Sequence, residues 1–385
     1  MNVPQRLLLG PGPSPVSARV MGALAAPVLS HLDPYVIAAM DDIRQRLSRL
    51  FLARQGAVTL AISGTGTSAM EAAVANVTRP ESRALVIVTG YFGDRLAQML
   101  ERYGAGVRRL DVEWGRACDP SAVEAALKQD GADLIGVVHA ETSTGVLNPV
   151  DDIARLAATH GALLIADTVT SFGAMPLNTG TWGASVCYSC AQKGLGAPSG
   201  LSPITFSPEA AAARTPSRSF YFDLSLLESY WVDRKYHHTI SSPLVLALRE
   251  ALTGVEDEGL APRHARHRAN HHALAAGLVA LGIDLLPPEG ERLWTLNAVR
   301  VPAGVDEAAV RRQLLQEFDI EIGAGLGPLA GRIWRVGLMG EGSRLSNVLI
   351  FLAALEHSLR ANGASLPTIS PAVAAAAEAW TKIQS

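Results

Sequence analysis

Excess charge of one sign, cysteine and long apolar runs are all scarce in this chain, and each scarcity excludes something. Its 33 basic and 36 acidic residues leave a net charge of −3, so no global field draws it to nucleic acid or to an anionic membrane. Three cysteines, an odd and small number, argue against a disulfide framework and for a reducing compartment. The longest apolar run, Ala273 to Ile283, is about half of the ~20 residues that a membrane span needs. Ahead of Gly10 and Pro11 stand only three leucines, too short for the core of a signal peptide. The C-terminal Lys382-Ile383-Gln384-Ser385 matches no recognised address. No internal repeat occurs. What is present is 48% hydrophobic and 18% charged residues in a chain of 385, the composition of an ordinary folded protein too long for one small core. A cytoplasmic enzyme is the expectation.

Leu7-Leu8-Leu9-Gly10-Pro11-Gly12-Pro13-Ser14 predicts an extended arm, because proline locks φ and removes donors. Val36, Met40, Ile43, Leu47 and Leu50 recur at helical spacing and predict a helix over 35–53. Strand-like runs then follow at 57–62, 84–88, 107–112, 133–138, 163–166 and 185–189, separated by helical stretches at 69–74, 94–103, 120–128 and 150–159. That alternation predicts an α/β fold with a mostly parallel, helix-covered sheet. Residues 216–240 read as an aromatic-rich loop, and 243–258 as a helix. After Gly259 the pattern changes to α+β. Helices are expected at 262–281, 306–317 and around 345–361, with strand-like runs at 295–301 and 320–322, and a Gly-rich turn and Ile333 to Gly337 before the last helix. Three parts result: an arm over 1–20, a large domain over 21–260 and a smaller α+β domain over 261–385. The Pro- and Ala-rich 365–385 reads as a tail with one short helix.

The chemistry centres on Lys193. An apolar run, Val186 to Cys190, leads toward it, and small, turn-forming residues follow. A lysine in such a setting is costly unless its amine has a partner or a covalent role, and lysine forms Schiff bases with carbonyls once burial lowers its pKa. Ser63-Gly64-Thr65-Gly66-Thr67 lies between a strand and a helix start, where free N–H groups and the positive helix end can hold an anion. Phe92 is an aromatic at a strand's carboxyl end, able to stack on a planar ring or to plug a core. Thr142 lies in a polar cluster, His139 to Gly145, and Asp167 ends another strand. Thr65–Thr67, Phe92, Thr142 and Asp167 all fall at carboxyl ends, where parallel sheets bind ligands. Together they suit pyridoxal phosphate, with Lys193 as the imine and Asp167, 26 residues earlier (193 − 167), keeping the ring nitrogen protonated. No metal is expected. The Cys187–Cys190 pair lacks a second pair for zinc. His264, His267 and His271, interleaved with Arg263, Arg266 and Arg268, read as a solvated basic face.

The sequence resembles the class V, fold-type I pyridoxal-phosphate aminotransferases, within them the alanine–glyoxylate / serine–pyruvate branch. The likeness covers nearly the whole chain. It includes Leu9 to Ser14, Ser63 to Thr67, Ser143-Thr144-Gly145, Asp167, Ser189 to Pro198, Tyr236-His237-His238-Thr239 and Arg335 to Leu338. The resemblance implies a large domain built on a seven-stranded sheet. It also implies a role at each matching position. Lys193 would bind the cofactor and serve as base for the proton shift, and Asp167 would pair the pyridinium nitrogen. Phe92 would stack on the ring, where relatives carry tryptophan, and Val169 would lie on the other face. Thr65, Gly66, Thr67 and Gln192 would hold the phosphate. Tyr236 and Thr239 would reach it from the other subunit of a homodimer. Thr142 would meet the 3′-oxygen, where relatives often carry serine. Arg335 would clamp the substrate carboxylate, and Gly12 would line the substrate pocket through its backbone.

Two departures, Ser189-Cys190-Ala191 for the usual Ser-Gly-Ser and Ser199 for proline, remove no chemistry. Ser30-His31-Leu32-Asp33-Pro34 is similar to the serine–glyoxylate and ureidoglycine–glyoxylate branches, whereas Tyr236 favours the alanine–glyoxylate branch. The implied reaction is ping-pong transamination from a small amino acid, alanine or serine, to glyoxylate or pyruvate. The alternative is ureidoglycine–glyoxylate transamination of purine catabolism. A desulfurase-type lyase would need a mobile cysteine in the C-terminal domain, where there is none. A non-catalytic binding protein on this scaffold would have no need of Lys193 and Asp167 together.

Overall fold

The structure is a computed structural model that describes residues 3–214, 216–367 and 371–384. Its main sheet has seven strands: β1 (Val58–Gly64), β2 (Arg83–Val88), β3 (Gly106–Asp111), β4 (Leu134–Val138), β5 (Leu163–Asp167), β6 (Val186–Tyr188) and β7 (Gly200–Phe206). They lie in the order β1-β7-β6-β5-β4-β2-β3. From β3 to β6 every pairing is parallel. β7 runs antiparallel to both β6 and β1. The double reversal leaves β1 aligned with the parallel set, so the carboxyl ends of β1, β2, β4, β5 and β6 all open on one edge. β4 and β6 are buried along their whole length, which is why they read as unbroken apolar runs rather than alternating ones.

Helices α1 (Pro34–Phe51), α2 (Gly66–Val77) and α3 (Tyr91–Arg102) pack on this sheet. α1 starts where Asp33 accepts the Tyr35 N–H at 2.8 Å and Pro34 takes the first helical position, a standard start signal. Its stripe of Val36, Met40, Ile43, Leu47 and Leu50 is buried. Each such side chain stabilises by about 1.5–3 kcal/mol relative to exposure, so packing outweighs propensity in holding α1.

The resemblance implies a seventh strand, and it is β7, a stretch not singled out among the strand-like runs, where Pro203 interrupts the donors. Pro203 has no N–H to return to Ser189, whose own N–H donates to the Pro203 carbonyl at 2.8 Å. Regular pairing of β7 with β6 accordingly ends at Ile204–Tyr188, and beyond it the Ser189 and Ala191 N–H groups still donate to β7, at the Pro203 and Leu201 carbonyls. The expected loop over 216–240 contains a helix, Leu224–Asp233. Asp223 caps it by accepting the Ser225 and Leu226 N–H groups, and Leu224, Leu227, Tyr230 and Trp231 are buried. The helical spacing was present but hidden by aromatic and polar neighbours of low helix propensity.

Beyond Gly259, a second core forms. Its sheet, β8 (Leu296–Arg300), β9 (Gly323–Ala324) and β10 (Ile333–Gly337), has the antiparallel order β8-β10-β9. Leu274, Val310, Trp334, Phe351 and Leu355 fill the core, joined by Leu9 of the arm. Leu7–Leu8 add a short parallel strand to Ile320–Glu321, so the arm is tied to the C-terminal part. The short helix expected in the tail is present and is packed. Ala372–Gln384 docks on Leu260–Ala280, with Ala372 and Ala376 fully buried. Gly277 permits the approach, since a Cβ there would lie 3.0 Å from the Ala372 carbonyl oxygen. Among the described residues no helix is long and apolar enough to cross a membrane.

Candidate active site

A cavity of about 250 Å³ opens at the carboxyl edge of the main sheet. Gly12, Thr65, Gly66, Thr67, Phe92, Thr142, Asp167, Val169, Gln192 and Lys193 all line it. Arg335 stands beside it. Tyr236 and Thr239 do not reach it within the chain.

Past Tyr188 the segment Ser189 to Ala191 stays buried and delivers Lys193 into the cavity. The Lys193 Nζ donates to the Pro11 carbonyl. Gly12 next to it has φ +109, and a Cβ there would fall 2.7–2.8 Å from Cδ, Cε and Nζ of the lysine. Only glycine lets the arm pass so close. Ser14 anchors the arm on both sides of the lysine turn, its N–H donating to the Gln192 carbonyl at 2.8 Å and its hydroxyl to the Lys193 carbonyl at 2.8 Å. Burial pushes the lysine amine below its ordinary range, and the Arg335 charge adds to that. A lysine so shifted is closer to the neutral form that attacks carbonyls.

Asp167 is the last residue of β5 and pairs directly with Tyr188 of β6. One carboxylate oxygen accepts the Val169 N–H at 2.8 Å and the other the Tyr188 hydroxyl at 2.9 Å. Burial pushes its pKa up to about 7 against the pull of these two donors. In the sequence Tyr188 reads only as part of the apolar run that leads to Lys193. The available signal was a hydroxyl in a fully buried strand, which must find a partner.

α2 begins at Thr65, whose side chain makes no capping bond. With the Ser68 and Ala69 N–H groups donating to the Thr65 carbonyl, those of Gly66 and Thr67 are left for an anion. Gln192 lines the same cavity.

Phe92 does not sit in a turn ahead of a helix at 94. It lies in the first turn of α3, which starts at Tyr91. The earlier start comes from distant caps. Glu141 accepts the Phe92 and Gly93 N–H groups at 3.2 Å each, and the Ser143 hydroxyl oxygen accepts the Tyr91 N–H at 2.9 Å. Glu141 is wholly buried, and burial raises its pKa against these hydrogen bonds. Its charge also favours the protonated form of Arg335, whose Nε donates to the Ala324 carbonyl at 2.6 Å. Glu141 thus braces the segment that carries Phe92 and balances Arg335, a role its place in the sequence does not announce.

The expected solvated face on Leu260–Ala280 is overturned. Arg263, His267 and His271 are buried. Arg263 donates to the Gly173 and Gly194 carbonyls at 2.7 Å each and pairs with Glu258, so it clamps the turn immediately after Lys193. His267 accepts the Gly340 N–H at Nε2 and donates from Nδ1 to the Arg263 carbonyl. Charges looked solvent-facing in the sequence because their partners are backbone carbonyls far along the chain. Arg263→Met should cost about 3 kcal/mol in denaturant unfolding, since it strands two buried carbonyls and Glu258. A loss below about 1 kcal/mol would show that the clamp matters little.

Tyr236 is 66% exposed, and its hydroxyl lies 3.3 Å from the Thr239 hydroxyl. His31 packs on it with ring centroids 5.6 Å apart, its buried Nε2 unpartnered among the described residues. Asp33 and Pro34 of the same motif are explained by the start of α1. Cys118, Cys187 and Cys190 are free and buried, each thiol pushed up to about 12 chiefly by burial. Such thiols are poor nucleophiles.

A parallel α/β sheet with a lysine and a buried carboxylate at its carboxyl edge defines a fold-type I pyridoxal-phosphate enzyme. The chain belongs to the class-V aminotransferases, whose family model matches residues 19–336, and it is an aminotransferase acting on amino acids and 2-oxo acids. The structure of ureidoglycine–glyoxylate aminotransferase from Bacillus subtilis superimposes with a TM-score of 0.95 over 99% of both chains, at 36% identity. That of alanine–glyoxylate aminotransferase from Nostoc sp. gives 0.91, at 44% identity over 94% of this chain and 97% of the other. The alanine–glyoxylate aminotransferase of Drosophila melanogaster is 35% identical over 96% of each chain. Pyridoxal phosphate is the cofactor of this class. The residues here fit it, with a buried carboxylate for the ring nitrogen and an uncapped helix start at the cavity wall.

Proposed function

We propose that this chain transfers an amino group from a small amino acid, alanine or serine, to glyoxylate or pyruvate by a ping-pong mechanism. The observation that carries the reading is the convergence of Lys193 and Asp167 on one cavity beside Arg335. The names of the relatives support glyoxylate as acceptor. The cofactor, when bound, supplies an electron sink for charge developing at the substrate α-carbon. The residues supply binding, orientation and proton handling. Thr65, Gly66, Thr67 and Gln192 hold the phosphate. Asp167, oriented by Val169 and Tyr188, accepts from the ring nitrogen and keeps its proton in place. Phe92 and Val169 would hold the ring, and Thr142 would meet its 3′-oxygen. The Lys193 Nζ, freed when an amino acid arrives, takes the substrate α-proton. Arg335 binds the substrate carboxylate through its planar fork, and the Gly12 backbone closes the pocket.

Exposed Tyr236 and Thr239 belong, in this reading, to the partner's phosphate site, which makes the working unit a homodimer. The three free, buried cysteines support a cytoplasmic setting. A second reading, ureidoglycine as donor, is favoured by the Bacillus subtilis relative and by His31. Comparing kcat/KM for L-alanine, L-serine and (S)-ureidoglycine against glyoxylate and pyruvate separates the two. L-alanine or L-serine with glyoxylate is expected to lead. A clear lead for (S)-ureidoglycine would replace the first reading.

A further inference from the structure

The cavity contains a guanidinium that the reaction described above does not use. We propose that Arg95 is the countercharge for the cofactor's phosphate, an inference that rests on the pyridoxal-phosphate reading of this site. A phosphate monoester carries close to two negative charges near neutral pH. Its expected holders, Thr65, Gly66, Thr67 and Gln192, are all neutral. Lys193 is committed to the carbonyl chemistry, and Arg335 is held away by the Ala324 carbonyl, under the charges of Glu141 and Glu321. Arg95 lies one turn into α3 and lines the cavity. Its Nη1 donates to the Thr67 hydroxyl at 3.0 Å, so it sits one hydrogen bond from the anion turn. Its guanidinium carbon stands 5.0 Å from the Phe92 ring centroid and 5.2 Å from that of Tyr91, and contact with the two rings limits its freedom. Among the described residues Arg95 pairs with no carboxylate, whereas nearby Arg109 is held by Asp94 and Asp111. A guanidinium has five N–H donors in a fork matched to phosphate, and this one spends a single donor on protein. Because Glu141 and Ser143 pin the start of α3, the ring clamp at Phe92 and the cation at Arg95 are set by one rigid turn.

The test compares pyridoxal phosphate with pyridoxal, which lacks the phosphate, in equilibrium dialysis of the full-length chain and its variants. Arg95→Met is expected to weaken pyridoxal phosphate by about tenfold or more while pyridoxal stays within about twofold, and Arg95→Lys should recover part of the loss. Parallel weakening of both compounds would reduce Arg95 to a support for the Phe92 ring and overturn the proposal, as would no change in either. A measurement on the unmutated chain guards against a variant that fails to fold. Phenylglyoxal labelling of Arg95, mapped by mass spectrometry after cofactor removal, should be suppressed by inorganic phosphate. Unchanged labelling contradicts the proposal. Failure of the underlying reading looks different, because the unmutated chain would then not hold pyridoxal phosphate on Lys193 at all.

Discussion

Lys193→Ala is expected to abolish transamination, lowering kcat/KM by at least about 10²–10⁴-fold, and to remove the visible absorption of lysine-bound cofactor. The size follows from two roles converging on one Nζ. In the proposed reading the lysine carries the cofactor, and its freed amine moves the substrate α-proton. The surroundings are built for both. Burial lowers the amine's pKa, the Pro11 carbonyl receives it, and Gly12 leaves room for the side chain to swing. The alanine variant should still fold, because the turn around it is tied by backbone bonds from Ser14 and by Arg263, not by the lysine side chain. Unchanged absorption in the variant would place the cofactor on another residue.

Asp167→Asn is expected to lower kcat by about 10²–10³-fold, on the scale of losing a preorganised charge at a reacting centre. An amide can still occupy the space and accept from the Val169 N–H, but it cannot hold a proton on the ring nitrogen by charge. The same substitution has a signature in stability. An aspartate in an unfolded chain titrates near about 3.9, while burial brings Asp167 up to about 7. The folded state therefore binds the proton more tightly. The stability contributed by this group is complete below about pH 4 and is lost as pH rises through about 7. The span of about 3 units corresponds to an upper bound of about 4 kcal/mol. Unfolding of the chain stripped of cofactor should show that loss between about pH 4 and about pH 7, and Asp167→Asn should remove its share of the slope. A bound pyridinium cation opposes the effect, so stabilisation by cofactor should grow with pH over the same window. Identical pH dependence in the variant and the unmutated chain would contradict this.

The sequence showed well those features that depend on neighbours along the chain. Lys193, Asp167 and the Thr65–Thr67 turn stand out because each ends or follows an apolar run, and α1 because its stripe keeps one period. What it concealed depends on partners far away. Glu141 becomes a helix cap only when β4 brings it under α3, and Tyr188 becomes a ligand of Asp167 only when β5 and β6 pair. Arg263 looked solvated because nothing local reveals that Gly173 and Gly194 present carbonyls to it. β7 was hidden by Pro203, whose missing donor ends one pairing without breaking the strand. The packing of the expected C-terminal helix was hidden because alanines carry little hydrophobic signal and here pack closely against Gly277.

The central claim is that Lys193, Asp167 and Arg335 form a transaminase site that can be run one half-reaction at a time. The most direct measurement is the visible absorption of the purified protein during stepwise addition of L-alanine or L-serine and then glyoxylate. The absorption of lysine-bound cofactor should fall on adding the amino acid, with release of one equivalent of 2-oxo acid per site, and return on adding glyoxylate. Absorption that does not respond to either amino acid or to (S)-ureidoglycine, or that falls and cannot be restored by glyoxylate or pyruvate, would contradict it.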